Sequence, residues 1–206
     1  MNYDRICQLL VIGDFSVGKT SLITRYTKGT FKEEYLATVG LDYYTKIEEI
    51  NNQTIQIKVW DTAGQERFKA LTKNLFRSAE GVLLVFDLTN TDSFDNLKEW
   101  INSVKKNIEG KDTFIPIVII GNKVDLEEAR EIKFEDAEKL AGENNYKYFE
   151  TSAKTGEGID NAIRELVTLV LSQNNGNDEQ KQARVNSVQI KKENITDSNE
   201  KKKGCC

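Results

Sequence analysis

No stretch of the chain approaches the roughly 20 consecutive apolar residues needed to cross a bilayer. The first residues, MNYDRICQ, also lack the charged and apolar regions of a secretory signal. Neither a spanning helix nor a secreted chain is expected, and the protein should start out in the cytosol. A basic excess is missing too: 29 Lys and Arg stand against 33 Asp and Glu, a formal net charge of −4. Without a broad positive field, no DNA or RNA partner is expected. Cysteine is scarce, with three residues in 206. Cys7 lies inside an apolar run and reads as an inert core thiol, whereas Cys205 and Cys206 are adjacent and make a poor disulfide framework for a reducing compartment. A chain this long buries about 70% of its unfolded surface, so one domain with a proper core needs no staples.

The most informative segment is GDFSVGKTS, residues 13 to 21. It follows the apolar run Ile6, Cys7, Leu9, Leu10, Val11 and Ile12, which reads as a buried strand, and precedes a helical pattern. Strand, glycine loop and helix in this order make a phosphate-binding P-loop. Gly13 and Gly18 allow backbone angles closed to other residues, so successive N–H groups turn inward around a β-phosphate at a helix N-terminus, with Ser16, Val17 and Ser21 in the same cradle. Lys19 supplies a point charge for the β- and γ-phosphates, and Thr20 a hydroxyl for Mg²⁺. The bland alternative is a glycine turn with a chance lysine.

Periodicity predicts a helix over 19–28 and a hairpin whose strands, 46–50 and 55–60, turn at Asn51-Asn52. The continuous apolar runs 81–87 and 116–121 read as parallel core strands joined by an amphipathic crossover helix over 93–108. A helix at 134–144, a short strand at 146–150 and a helix at 159–171 complete an α/β, doubly wound pattern. After residue 172 the sequence turns to Asn, Gln, Lys, Glu and Ser, so 1–172 is expected to be the domain and 173–206 a disordered tail. As a coil of about thirty residues, that tail would span on the order of 30 Å and act as a tether.

In a sheet of this kind, ligands bind beyond the carboxyl ends of the strands. Polar motifs stand at those ends: Asp61-Thr62-Ala63-Gly64-Gln65-Glu66, Asn122-Lys123-Val124-Asp125 and Thr151-Ser152-Ala153-Lys154. Any one of them alone is compatible with a structural turn or a solvated loop. Taken together they suit a guanine nucleotide. A carboxylate at Asp125 can accept from both N1–H and the 2-amino group of guanine, whereas adenine would leave it unpaired, a difference of several kcal/mol. Asn122 can brace the two loops, Lys123 can lay its aliphatic stem on the base, and the Ala153 N–H can meet the guanine carbonyl.

With GDFSVGKTS, the threonine of ATVG, WDTAGQE, NKVD and TSAK in this order over residues 5 to 172, the chain resembles a Ras-superfamily small GTPase. VGLDYY, KVWDTAGQERF, LLVFDLT, SFDNLKEW and the terminal Cys-Cys are similar to the Rab branch, while Arg77-Ser78-Ala79 is a looser match to that branch. The resemblance implies a P-loop NTPase fold with a six-stranded, mostly parallel sheet, one antiparallel strand and helices on both faces. It implies that Thr20 and Thr38 coordinate Mg²⁺, that Asp61 acts through water, and that Phe31 caps the guanine edge. Gly64 would bind the γ-phosphate by its N–H, Gln65 would orient the attacking water, and Lys154 would complete the base loop. Catalysis would then rest on Lys19, Thr38, Gly64 and Gln65 as positioning and charge neutralisation on a dissociative transition state. Segments around 33 to 43 and 62 to 78 would order with the γ-phosphate and relax after hydrolysis. Leu41, Tyr43, Trp60, Phe68 and Phe76 would be candidates for an apolar effector surface, the alternative being that some are plain core.

Phe15 departs from the resemblance, because the Rab pattern carries a small residue there and glycine at the position of Ser16. A ring over the γ-phosphate could crowd Gln65 or an incoming arginine and lower hydrolysis, or fold onto the surface without effect. Two readings follow: a Rab-like GTP/GDP switch regulating vesicle traffic, or a hydrolysis-impaired, GTP-bound membrane scaffold. Lys201 to Lys203 before Gly204-Cys205-Cys206 resemble a double-prenylation terminus. The resemblance also implies an exchange factor, a GTPase-activating protein, effectors, a Rab escort protein and a GDP-dissociation inhibitor. A monomer is expected at the cytoplasmic face of an intracellular membrane, held by geranylgeranyl groups and cycling with the cytosol.

Overall fold

β1 (Arg5–Ile12) stands near the middle of a six-stranded sheet. The computed structural model describes residues 2–32, 41–62, 75–108 and 114–173. Around β1 lie α1 (Lys19–Lys28), β2 (Leu41–Ile50), β3 (Gln53–Thr62) and β4 (Gly81–Asp87). They are followed by α2 (Thr91–Asp95), α3 (Leu97–Ile108), β5 (Ile117–Asn122), α4 (Phe134–Glu143) and β6 (Lys147–Thr151), then by α5 over 159–173. The strands are ordered β2-β3-β1-β4-β5-β6; β2 runs antiparallel to β3, and the remaining neighbours are parallel. This is the α/β, mostly parallel six-stranded sheet with one antiparallel strand that the sequence implies.

Burial explains the two kinds of strand. β4 and β5 are buried at every position, as parallel strands covered on both faces must be. β3 alternates: Ile55, Ile57, Val59 and Asp61 are fully buried, while Thr54, Gln56, Lys58 and Trp60 are half-buried on the other face. The hairpin strands run longer than periodicity suggests, through Thr62 rather than Trp60 and back to Leu41. Their register is set at Asn51 and Asn52, both with positive φ (54° and 60°), the backbone of a tight two-residue hairpin turn.

The expected single helix over 93–108 is two helices, broken at Asn96. Asparagine is a poor helix former, and its side-chain amide here bonds outside the helix, to Asp14. A 3₁₀ turn at Glu127–Ala129 carries no apolar pattern that would predict it. Among the effector-surface candidates, Phe76 is core, 1% exposed and clustered with Phe86, Leu84 and Ala79. Tyr43 is exposed, with its ring 5.2 Å from that of Trp60. Phe68 and the Leu41 side chain lie outside the described residues. Among the described residues no helix is long and apolar enough to cross a membrane.

Cys7 is fully buried, and desolvation raises its thiol to about 12, reinforced by the nearby Glu80. Alkylation of the folded protein by iodoacetamide at pH 8 is therefore expected to spare Cys7, and unfolding in guanidinium to expose it. Mass spectrometry of the peptide carrying residue 7 decides the point, and rapid labelling in the native state would contradict the burial.

Candidate functional site

The chain leaves β1 toward β3 and β2, and leaves β4 toward β5 and β6. The crevice of the sheet therefore opens past Ile12 and Asp87, at the topological switch point where doubly wound sheets hold their ligands. The loop after β1 is pressed into that crevice. Gly13 has φ 140°, and a Cβ there would fall 2.0 Å from the Val85 carbonyl oxygen. Gly18, with φ 93°, would put a Cβ 2.4 Å from Asn122 Nδ2. Both are therefore glycines by necessity, and Ser16 between them also takes a positive φ of 63°.

Lys19 opens α1 and folds back over this loop. Its Nζ donates to the carbonyls of Gly13 (2.7 Å) and Asp14 (2.5 Å), and the residue is 5% exposed. Burial lowers the ammonium from its ordinary 10.5 to about 8, with Asp61 and Asp14 opposing the fall. The Thr20 hydroxyl donates to Asp61 Oδ2 at 2.6 Å. Asp61 is 0% exposed; burial raises its pKa, against the Thr20 bond and the charge of Lys19. Its Oδ1 is buried with no hydrogen-bond partner among the described residues.

The other side of the crevice is built from the ends of β5 and β6. Asn122 is buried and braces two loops: its Nδ2 donates to Val17 O at 2.8 Å, and its Oδ1 accepts from the Thr151 hydroxyl (3.2 Å) and the Ala153 N–H (3.3 Å). Lys123, at φ 72°, ion-pairs through Nζ with Asp87 Oδ2 at 2.6 Å. Asp87 Oδ1 is taken by the Thr89 N–H and hydroxyl. The Ser152 hydroxyl donates to Asp125 Oδ1 at 2.5 Å, which aims an exposed carboxylate beside the buried Ser152 and Ala153. Lys154 is exposed, Phe31 and Ser21 are half-buried, and Val17 is buried.

Gly13, Ser16, Val17, Gly18, Lys19, Thr20, Ser21, Asp61, Asn122, Lys123, Asp125, Ser152, Ala153 and Lys154 are thus set at one end of the sheet, at the last residues of β3 and β5, on the loops after β1, β5 and β6, and in the first turn of α1. Thr38, Gly64, Gln65, Cys205 and Cys206 lie outside the described residues. Two supporting arrangements have no signal in the sequence. Asp14 is clamped by Asn96 Nδ2 and Trp100 Nε1, each at 2.7 Å, which ties the P-loop to the break between α2 and α3. Arg25 on α1 reaches the carbonyls of Ala153 and Lys154. Both depend on pairing residues far apart in sequence.

A glycine loop at the switch point of a mostly parallel sheet, closed by a buried lysine and a Thr–Asp pair, defines a P-loop nucleotide-binding protein. The Ras family profile matches residues 8–172, so the chain belongs to the Ras family. It is 38% identical over 197 residues to Ras-related protein Rab-13 of Rattus norvegicus, covering 96% of both chains. It is 35% identical over 205 residues to Ras-related protein Rab-10 of Caenorhabditis elegans, covering 99% of this chain and 98% of that one. Ras-related protein Rab-8B of Homo sapiens is 37% identical over 173 residues, 84% of this chain and 82% of that one. Within the family the chain is a Rab-like small GTPase: it binds GTP and GDP, hydrolyses GTP to GDP and phosphate, and acts as a switch in vesicle-mediated membrane traffic. The rival reading, a hydrolysis-impaired scaffold, finds no support in the fold or the relatives. Phe15 is 49% exposed, and Gln65, the residue it would crowd in that reading, is outside the described residues.

Proposed function

We propose that GTP hydrolysis here runs on Mg²⁺ held by the hydroxyls of Thr20 and Thr38 and, through water, by Asp61. The observation that carries this is the buried Oδ1 of Asp61, without a hydrogen-bond partner among the described residues, next to an Oδ2 already joined to the Thr20 hydroxyl. Among the described residues no group of three or more His, Cys, Asp or Glu side chains could hold a metal alone, so this donor set suits a cation that keeps water and phosphate oxygens in its shell. When bound, the ion neutralises charge on the β- and γ-phosphate oxygens. Lys19 turns its ammonium from the loop carbonyls to the phosphates. The loop N–H groups between Gly13 and Lys19 hold the β-phosphate, the Gly64 N–H takes the γ-phosphate, and Gln65 orients the attacking water.

On the base side, Asp125 accepts from guanine N1–H and the 2-amino group, and the Lys123 stem covers one face of the ring. Phe31 closes the edge. The Ala153 N–H takes the guanine carbonyl, its 3.3 Å bond to Asn122 being long enough to share. Residues 1–172 form the GTPase domain and 173–206 a tether. Lipid attached at Cys205 and Cys206, preceded by Lys201 to Lys203, holds it on the cytoplasmic face of an intracellular membrane; the resemblance of this terminus to a double-prenylation signal supports that reading. An exchange factor, an activating protein, effectors, an escort protein and a dissociation inhibitor are the partners such a cycle requires.

Asp61→Asn tests the metal assignment. The substitution keeps the size and removes the charge that organises the water shell, so Mg²⁺ affinity of the GDP complex should fall about 10–100-fold. GDP release in millimolar Mg²⁺ should then approach the rate seen with excess EDTA. An unchanged Mg²⁺ titration of GDP release would remove Asp61 from the metal shell.

A further inference from the structure

Arg25 is half-buried on α1, six residues beyond the P-loop lysine, and none of the catalytic or binding roles assigned to other residues uses it. Its guanidinium is nonetheless engaged on all sides by backbone: Nε donates to Ala153 O at 3.0 Å, Nη2 to Lys154 O, and Nη1 to Gly29 O at 2.8 Å. The partners at 153 and 154 are 128 and 129 residues away, on the turn after β6. That turn is held at its start by the Ser152 hydroxyl, which accepts from the Thr155 N–H and donates to Asp125. It is held from the sheet side by Asn122, which accepts from the Ala153 N–H. Arg25 is the hold from the opposite side, through the α1 helix.

We infer that Arg25 is a positioning residue for guanine recognition: it fixes the 152–155 turn so that the amides of Ala153 and Lys154 face the 6-oxo group of the base. This inference rests on the base-side reading given under Proposed function. A peptide unit is planar, with C=O and N–H opposed. Drawing the Ala153 carbonyl onto α1 therefore turns the Lys154 N–H, in the same peptide plane, away from that helix. Drawing the Lys154 carbonyl there turns the Thr155 N–H toward the Ser152 hydroxyl that takes it, which fixes the segment that carries the Ala153 N–H. Arg25 suits the task because its planar fork holds several acceptors in one geometry, which the single ammonium of lysine cannot copy. It also joins the two halves of the site. α1 begins at Lys19 and carries Arg25 in its last turn, so Arg25 and the Asn122–Val17 bond tie the loops after β5 and β6 to both the P-loop and the helix that follows it.

The test uses the full-length protein and three diphosphates. Arg25→Met keeps most of the stem and removes every donor; Arg25→Lys keeps the charge and one contact. The native protein should prefer GDP over 6-thio-GDP, which differs only at the 6-position and accepts hydrogen bonds more weakly. Arg25→Met should release GDP about tenfold faster, the loss of roughly one charge-assisted bond. Its preference for GDP over 6-thio-GDP should also shrink toward unity, with Arg25→Lys in between. Arg5→Met, which breaks the Arg5–Glu80 ion pair elsewhere on the sheet, provides a variant destabilised for an unrelated reason. If Arg25→Met lowers the melting temperature but leaves the GDP to 6-thio-GDP ratio at the native value, as Arg5→Met should, the arginine is merely structural and the inference falls. Asp125→Asn guards the underlying reading. It should move preference from GDP to xanthosine diphosphate, whose 2-oxo group pairs with an amide donor. If it does not, base recognition lies elsewhere and the role of Arg25 falls with it.

Discussion

Replacing Lys19 by methionine is expected to raise the dissociation constant for GDP about 10²–10⁴-fold, because hydrogen bonds to charged groups contribute about 1.5–3 kcal/mol each and this ammonium can make two to phosphate. The magnitude follows from how the lysine is prepared. It is 5% exposed and already donates to Gly13 O and Asp14 O, so little side-chain freedom remains to be lost when phosphate replaces those carbonyls. Burial lowers its pKa from 10.5 to about 8, which means that the charged form is disfavoured in the folded protein without nucleotide. The sign of the pH effect follows. The unfolded chain binds more protons than the folded one between those two values, so this group's cost to stability is full below pH 8 and fades as the pH rises toward 10.5. Native protein stripped of nucleotide should show that relief in thermal melts across the window, and Lys19→Met should not. Fluorescence titration with a labelled GDP measures the affinity. A variant that still binds within tenfold of native would mean that the loop amides, not Lys19, carry the phosphate.

Gly13→Ala is expected to be nearly as damaging, and through the fold rather than through charge. The added Cβ would meet the Val85 carbonyl oxygen at 2.0 Å, and backbone on a central strand cannot retreat as a flexible side chain can. The φ of 140° adds strain for any residue with a Cβ. Backbone strain and overpacking each cost about 1–3 kcal/mol, which for a domain of this size corresponds to a fall in melting temperature of about 5–20 °C. Loop displacement would also move the carbonyl that Lys19 grips, so nucleotide affinity should fall with stability. Gly142→Ala provides the contrast, since a Cβ there meets nothing within 4 Å inside α4. It should be neutral or stabilising by up to about 1 kcal/mol. Equal melting temperatures for the two variants would show that the P-loop can relax where the structure holds it fixed.

The parts of this molecule that follow from local patterning are legible in its sequence. β4 and β5 read as buried strands because an unbroken apolar run of that length suits a strand covered on both faces, and α1 reads correctly from Lys19 to Lys28 because glycines flank it. Asn51-Asn52 marks the hairpin because two positive φ values in succession favour asparagine. The break at Asn96 is not legible, because its cause lies 82 residues away in the Asp14 carboxylate. Phe76 looks like a surface aromatic by resemblance, yet burial against Phe86 is decided by packing. The same limit hides Arg25: one arginine among many in the sequence, it is distinguished only by carbonyls that the fold brings to it. Asn122 is expected as a brace from the sequence, but its partner Val17 O can be named only once the loops are in place.

The clamp on Asp14 has an optical consequence. The chain holds two tryptophans. The indole N–H of Trp100 donates to the P-loop carboxylate, while Trp60 stands near the end of β3, next to Asp61, with its ring beside Tyr43 and under Lys58. Indole emission responds to nearby charge and hydrogen bonding, so the P-loop and the end of β3 each carry a chromophore. With Trp60 changed to phenylalanine, the remaining fluorescence would follow the Asp14 clamp alone, allowing nucleotide exchange to be timed in unlabelled protein.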